Sequence, residues 1–319
     1  MARSKALTGI LLAAGGSLVF SVNDLSIKVL SDAYALHQII LIRALVAMGF
    51  ILSVIAWSGH GLRPLLTRRP GTHLLRVGIV MVSNVTFFVG LAKMPLADAV
   101  AVAYVSPIVV TLLSILFLRE RVGPRRWAAV MVGMLGVLVM LRPGLGVIQP
   151  AAILVLISAV LYAAGNLFAR HLGDTESATT LTFYVQAGFI TVSLAMGLWS
   201  GDGHLADESS LWAFLFRPWI WPPVADWPYF LATGLSVGLG GLMVTQAYRT
   251  TEAGLIAPFE YVGMPMAILW GLVVFGTFPD TTGWAGIALI CGSGLYVIWR
   301  EAVRKRDAEE RATEWEAGL

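Results

Sequence analysis

Apolar residues run through this chain in blocks close to the roughly 20 needed to cross a bilayer as a helix, and polar residues gather in short gaps between them. The blocks fall at 6–30, 35–57, 74–92, 96–118, 125–141, 150–171, 177–199, 226–248, 253–275 and 282–300. They lack the period-two alternation of barrel strands, which run to about ten residues, so the predicted elements are helices. The expected fold class is an all-α integral membrane protein with ten transmembrane helices. Arg3 and Lys5 precede the first block as they would a signal peptide, but the block is too long for one and ends without a small-residue cleavage site. It is read as a retained first helix.

Composition agrees with lipid as the solvent. The 319 residues are 57% hydrophobic and 13% charged, too few charges to coat soluble domains. The net charge of +3 matters less than its placement. On this helix map 17 of the 22 basic residues, Arg76 and Arg170 among them, fall on one side, and Lys28, Lys93, Arg142 and Arg217 on the other. The bias puts both termini in the cytoplasm and the chain in a bacterial-type inner membrane. The basic residues are scattered over membrane edges and form no nucleic-acid-binding module. Cys291 is the single cysteine, so an intrachain disulfide and a cysteine-rich metal site are both excluded.

The chain repeats itself. Trp57-Ser58-Gly59-His60-Gly61 returns as Trp199-Ser200-Gly201-Asp202-Gly203, an offset of 142 at which Leu25, Lys28 and Asp32 also meet Leu167, Arg170 and Asp174, and Phe20 meets Tyr162. Further on the offset becomes 157, where Tyr104 meets Tyr261 and Trp127 meets Trp284. The 15 extra residues follow Trp199 and include the Pro- and Trp-rich stretch 217–223, read as an extracytoplasmic loop with an interfacial aromatic segment. Five helices per copy is an odd number, so the second copy enters the membrane upside down. Such inverted repeats place a site near the bilayer midplane and exchange conformations to give alternating access.

Ser106-Pro107, the Leu118-Arg119-Glu120-Arg121 turn and Trp127 in the first copy, with Ala257-Pro258-Phe259-Glu260-Tyr261, Trp270-Gly271 and Phe275-Gly276 in the second, resemble the EamA-domain family of the drug/metabolite transporter superfamily. Two positions depart from it: Thr277 stands where the turn usually has Glu, and Met264-Pro265 shifts an expected proline by one. The resemblance implies two five-helix repeats, at 1–145 and 146–300, and leaves 301–319 as a cytoplasmic tail. It also implies a metabolite carrier, with the amino-acid exporters of the YddG type as the nearest likeness.

Ionisable side chains inside a span cost about 2.5–3.5 kcal/mol on insertion scales and need a partner or a wet cavity. Asp24, Arg43 and Glu260 are such residues. Asp24 and Arg43 lie at similar depth on adjacent helices and are expected to form an ion pair, either a helix clamp or a substrate-carboxylate site released when it opens. Glu260, beside the helix-bending Pro258, is a candidate for proton coupling or for a substrate amine, against a plain structural role. Asn84, Tyr184, Gln186 and Gln246 are mid-membrane polar candidates, and Tyr104, Tyr261 and Trp270 candidate cavity walls with Phe87 and Phe88; polar groups at this depth mostly bond across helices, and each aromatic alone is more often packing.

No Gly-x-Ser-x-Gly, His-Glu-x-x-His or Walker A pattern occurs, so the chain is expected to be no enzyme, with no catalytic residue, metal or cofactor. The expected partners are the lipid bilayer, a small-molecule substrate and protons, with no nucleic acid, for a monomer or homodimer. The function expected is export of neutral or aromatic amino acids; the alternatives are another metabolite or drug-like cation, or a channel.

Overall fold

The computed structural model describes residues 2–57, 65, 67, 69–118, 124–141, 149–173, 175–251, 253–293, 295, 296 and 299. Its helices are α1 (Ala2–Leu30), α2 (Leu36–Trp57), α3 (Pro70–Ala92), α4 (Leu96–Ala103), α5 (Ser106–Leu118), α6 (Pro124–Leu141), α7 (Pro150–Leu172), α8 (Ala178–Ser200), α9 (Ala213–Phe216), α10 (Trp227–Thr250), α11 (Ala253–Ile256), α12 (Gly263–Phe275) and α13 (281–293). No strand occurs among the described residues. Six helices, namely α1, α2, α3, α7, α8 and α10, are long and apolar enough to cross a membrane, and shorter apolar helices accompany them.

Local chemistry explains the ends. Proline sits in the first turn of α3, α7 and α10, where its missing amide costs nothing. Ser177 caps α8 by accepting a hydrogen bond from the Thr180 amide at 3.0 Å. α12 stops at Gly276, whose φ of 62° suits a residue without Cβ; its amide reaches back to Leu272 O at 3.2 Å and that of Thr277 to Gly271 O at 2.9 Å.

The spans expected at 96–118 and 253–275 are not continuous helices. The first is broken at Tyr104-Val105, between α4 and α5. The second runs as one turn of α11, a 3-10 segment Ala257–Val262, then α12. Pro107 and Pro258 remove one backbone donor each and disfavour helical backbone at the residue before them. Periodicity alone misses this, because both stretches stay apolar throughout.

α1 packs along α10, α3 along α7, and α2 along α8. The α3–α7 approach depends on Gly90: a Cβ there would stand 2.7 Å from Ala151 O and 2.6 Å from a Val155 methyl. Two cations tie helix ends across these pairs. Lys28 Nζ, at the end of α1, donates to Leu91 O and Ala92 O at the end of α3 and to Met94 O just past it, at 2.8, 3.0 and 2.9 Å. Arg170, at the end of α7, donates to Thr251 O beyond α10 at 2.5 Å.

The loop after α8 is more than a surface anchor. It folds over the start of α2: His37 Nδ1 donates to Leu215 O at 2.8 Å, Gln38 bonds Ile220 through both amide atoms, and Arg217 donates to Ser31 O at 2.6 Å. Tyr34, between α1 and α2, donates to Asp226 at 2.5 Å. Burial first, and that bond second, push the Tyr34 hydroxyl up to about 12, so it stays a neutral donor. Trp221 is 86% exposed and fits the interfacial reading. The repeat residues 58–61, the turn at 119–121 and the tail 301–319 lie outside the described residues.

Candidate functional site

A cavity of about 230 Å³ lies among α1, α2, α3, α4, α7, α8, α10 and the 3-10 segment. Its wall is largely apolar, with two polar regions set into it, the usual make-up of a small-molecule site.

The first region is built on Arg43, in the second turn of α2 and 1% exposed. Its guanidinium donates to Asn23 Oδ1 at 3.5 Å and Asn84 Oδ1 at 3.2 Å, and lies 5.4 Å and 5.2 Å from the ring centres of Phe88 and Phe189. The two rings hold a cation by their faces, worth roughly 0.5–2 kcal/mol each. Asn23 is itself fixed: its oxygen also accepts from the Thr233 hydroxyl, and its amide donates to Asp24 Oδ1 at 3.0 Å. The direct Asp24–Arg43 ion pair expected above is therefore replaced by a relay through Asn23. The depth argument put the two charges level, but the asparagine beside Asp24 offers both a donor and an acceptor and so stands between them. Arg43 Nε is buried without a hydrogen-bond partner.

The second region is built on Glu260, 5% exposed, on the 3-10 segment that interrupts the α11–α12 span. The Tyr162 hydroxyl lies 3.3 Å from both carboxylate oxygens. Ser17 donates to the Glu260 carbonyl at 2.6 Å and lies 3.4 Å from the Tyr104 hydroxyl. Tyr104 and Tyr261, one at each helix break, meet edge to face with centres 5.3 Å apart, and the Tyr261 hydroxyl donates to Tyr104 O at 3.2 Å. The breaks thus bring main chain and aromatic hydroxyls to the cavity, the place where irregular backbone is tolerated in a membrane.

Of the residues singled out in sequence, Asp24, Arg43, Asn84, Phe87, Phe88, Tyr104, Gln186 and Glu260 line this one cavity. The others lie outside its wall. Tyr261 braces Tyr104 from behind, and Trp270 donates to Ser21 at 3.3 Å. Tyr184 donates to Leu65 O at 2.8 Å and stacks on His73 with centres 4.4 Å apart, while Gln246 accepts from Arg249 at 3.2 Å. Tyr162 and Arg76 were missed. Tyr162 had a signal in the repeat, as the partner of Phe20. Arg76 was placed among the membrane-edge cations, because helix three was expected to begin at 74; α3 begins at Pro70, so Arg76 sits nearly two turns inside, 5% exposed on the cavity wall. No group of three or more His, Cys, Asp or Glu side chains fit to hold a metal ion occurs among the described residues.

A membrane-embedded cavity with buried charges and broken helices at its centre is the layout of a small-molecule transporter. The profile of the EamA-like transporter family matches residues 7–142. A riboflavin transporter from Rhizobium johnstonii is 30% identical over 257 residues, 81% of this chain and 80% of that protein. A pseudopaline exporter from Pseudomonas aeruginosa is 28% identical over 89% of this chain and 93% of its own length. An S-adenosylmethionine uptake transporter from Rickettsia prowazekii is 22% identical over 88% of this chain and 89% of its own. One solved crystal structure superposes with a TM-score of 0.68 at 20% identity over 91% of this chain and 96% of that one, a likeness of fold alone. The chain belongs to the EamA-like transporter family of the drug/metabolite transporter superfamily, and is a multi-pass membrane transporter of small metabolites. The narrower expectation of amino-acid export has no counterpart among these relatives, whose named substrates are riboflavin, pseudopaline and S-adenosylmethionine.

Proposed function

We propose that the chain is an alternating-access carrier of a flat, nitrogen-rich metabolite of the flavin class, bound lengthwise between the Arg43 and Glu260 regions. The observation that carries this is their separation. Ser17 touches the Glu260 segment and Asn23 touches Arg43, six residues along α1, so the two regions stand about 9 Å apart at 1.5 Å per residue. A free amino acid carries its carboxylate and amine on one carbon and cannot span that gap with both. A fused heteroaromatic ring system with acceptors at one end and a polyol at the other can, with Phe87, Phe88 and Phe189 as faces to stack on. The riboflavin transporter among the relatives supports the same class.

The architecture proposed is two inverted five-helix repeats, residues 1–145 and 146–300, with both termini cytoplasmic. Several contacts support the repeat. Lys28 and Arg170 are 142 apart and their acceptors Met94 and Thr251 are 157 apart, the two offsets read from sequence. The helix breaks at Tyr104 and Tyr261 obey the same offset. The α1–α10 pair and the α3–α7 pair then behave as two slabs, tied by Lys28 at one end and by Arg170 at the other. Ties at both ends suit a carrier better than an open channel. Lys28→Met is expected to raise, severalfold, the labelling of a Val100→Cys reporter by an external membrane-impermeant maleimide in a Cys291→Ser background, and Arg170→Met to lower it. Equal rates in both variants would contradict the two-slab reading.

The primary test is uptake of labelled riboflavin into proteoliposomes, competed by phenylalanine and by S-adenosylmethionine. Saturable riboflavin uptake resistant to phenylalanine is expected. Phenylalanine uptake without riboflavin uptake would restore the amino-acid assignment.

A further inference from the structure

The transport cavity holds a second buried arginine that the two regions above do not use. Arg76 lies eight residues before Asn84 on α3, so it stands about 12 Å along that helix from the Arg43 region. Its Nε donates to Gly165 O on α7 at 3.4 Å and one terminal nitrogen to Leu181 O on α8 at 3.0 Å. A guanidinium has five N–H donors. Two are used here, both on neutral carbonyls, and no carboxylate stands within ion-pair distance of Arg76 among the described residues. The nearby Glu176 is committed elsewhere, accepting from Thr67 at 2.6 Å and facing His73 at 3.6 Å. Arg43 differs: Phe88 and Phe189 cover it and an asparagine relay joins it to Asp24.

A buried cation solvated by two carbonyls is costly and incompletely compensated. The expense is understandable if a ligand completes the shell. The neighbouring wall suits such a ligand. Thr182 follows Leu181 on α8, and Gln186, 2% exposed and four residues beyond Thr182, lines the cavity and carries in its carboxamide NH2 the donors that an anionic oxygen accepts from.

We infer that Arg76, with Gln186, forms a second subsite that takes an anionic oxygen group, a phosphate ester or a carboxylate, on the far end of the cargo. This rests on the cavity being the transport site. A cargo with its ring between Arg43 and Glu260 and a tail running toward α3's first turns would place its terminal group there. Arg76 is then a specificity-determining residue: it separates tailed, acidic cargo from the bare ring.

The test compares riboflavin, riboflavin 5′-phosphate and lumichrome, the ring without its tail, as competitors of riboflavin uptake. In the wild-type protein the phosphate ester is expected to compete at least as well as riboflavin. Arg76→Gln should weaken the ester about tenfold, the loss of one charge-assisted hydrogen bond, and leave lumichrome unchanged; Arg76→Lys should recover part of the loss. An ester that fails to compete in the wild type, or a variant that loses all three ligands alike, would overturn the subsite. If riboflavin is not carried at all, the flavin reading fails, and thermal stabilisation of the purified wild-type protein by phenyl phosphate over phenol decides the subsite separately. Stabilisation that depends on the phosphate and is lost in Arg76→Gln supports it; equal effects of the two compounds refute it.

Discussion

Arg43→Leu is expected to lower the apparent affinity for the transported substrate by about a hundredfold while the protein still reaches the membrane. Leucine keeps the apolar stem of the side chain against Phe88 and Phe189, so the α2, α3 and α8 packing survives. What disappears is the charge and the fork that joins Asn23 to Asn84. Both asparagine oxygens then lose a donor. Losing a buried, charged hydrogen-bonding partner costs about 2–5 kcal/mol, and about 2.8 kcal/mol is a hundredfold. Arg43→Lys separates charge from geometry. An ammonium keeps the charge but cannot lie flat between two rings or reach two amides from one plane, so a loss of about tenfold is expected from the change of shape alone. Uptake kinetics in proteoliposomes check both values. If leucine changes only the maximal rate and leaves half-saturation untouched, Arg43 serves the conformational step and not the substrate.

Much of this site could be reached from sequence because a charge inside a membrane has few reasons to be there. Arg43, Glu260 and Asp24 stand out in apolar blocks, and all three line the one cavity. The broken spans were half visible. Pro107 and Pro258 announced a disturbance, but the apolar pattern continued through it, and only the backbone shows α4 ending at Ala103 and the 3-10 turns from Ala257. The role of Asn23 was not legible, since a relay depends on the angle between two neighbours on one helix turn. Arg76 was hidden by a boundary error of four residues, enough to move a cation from the cavity wall to the membrane edge. Tyr184 and Gln246 failed in another way: they bond Leu65 and Arg249, away from the cavity, and a depth read from sequence says nothing about which way a side chain faces.

Glu260→Gln is expected to abolish uptake driven by a proton gradient while sparing exchange of substrate for substrate. The carboxylate is 5% exposed, the Tyr162 hydroxyl that donates to it is neutral, and no cation stands within ion-pair distance among the described residues. A bare carboxylate enclosed in the bundle is expensive, so the closed cavity needs either a proton on Glu260 or a donor from the substrate beside it. That competition is the simplest coupling of the two fluxes: a proton taken up on one side must leave when substrate hydroxyls or amines take its place. Glutamine preserves the size and the acceptor facing Tyr162 but cannot exchange a proton. Accumulation against a gradient should therefore fall at least tenfold, to the level of equilibration, with counterflow within about twofold of the wild type, a difference of under 0.5 kcal/mol. Asp24→Asn is the control, because Asp24 is tied through Asn23 to Arg43 and does not share the Tyr162 contact. It should keep gradient dependence. Loss of gradient dependence in Asp24→Asn and its retention in Glu260→Gln would move the coupling site to the other end of the cavity.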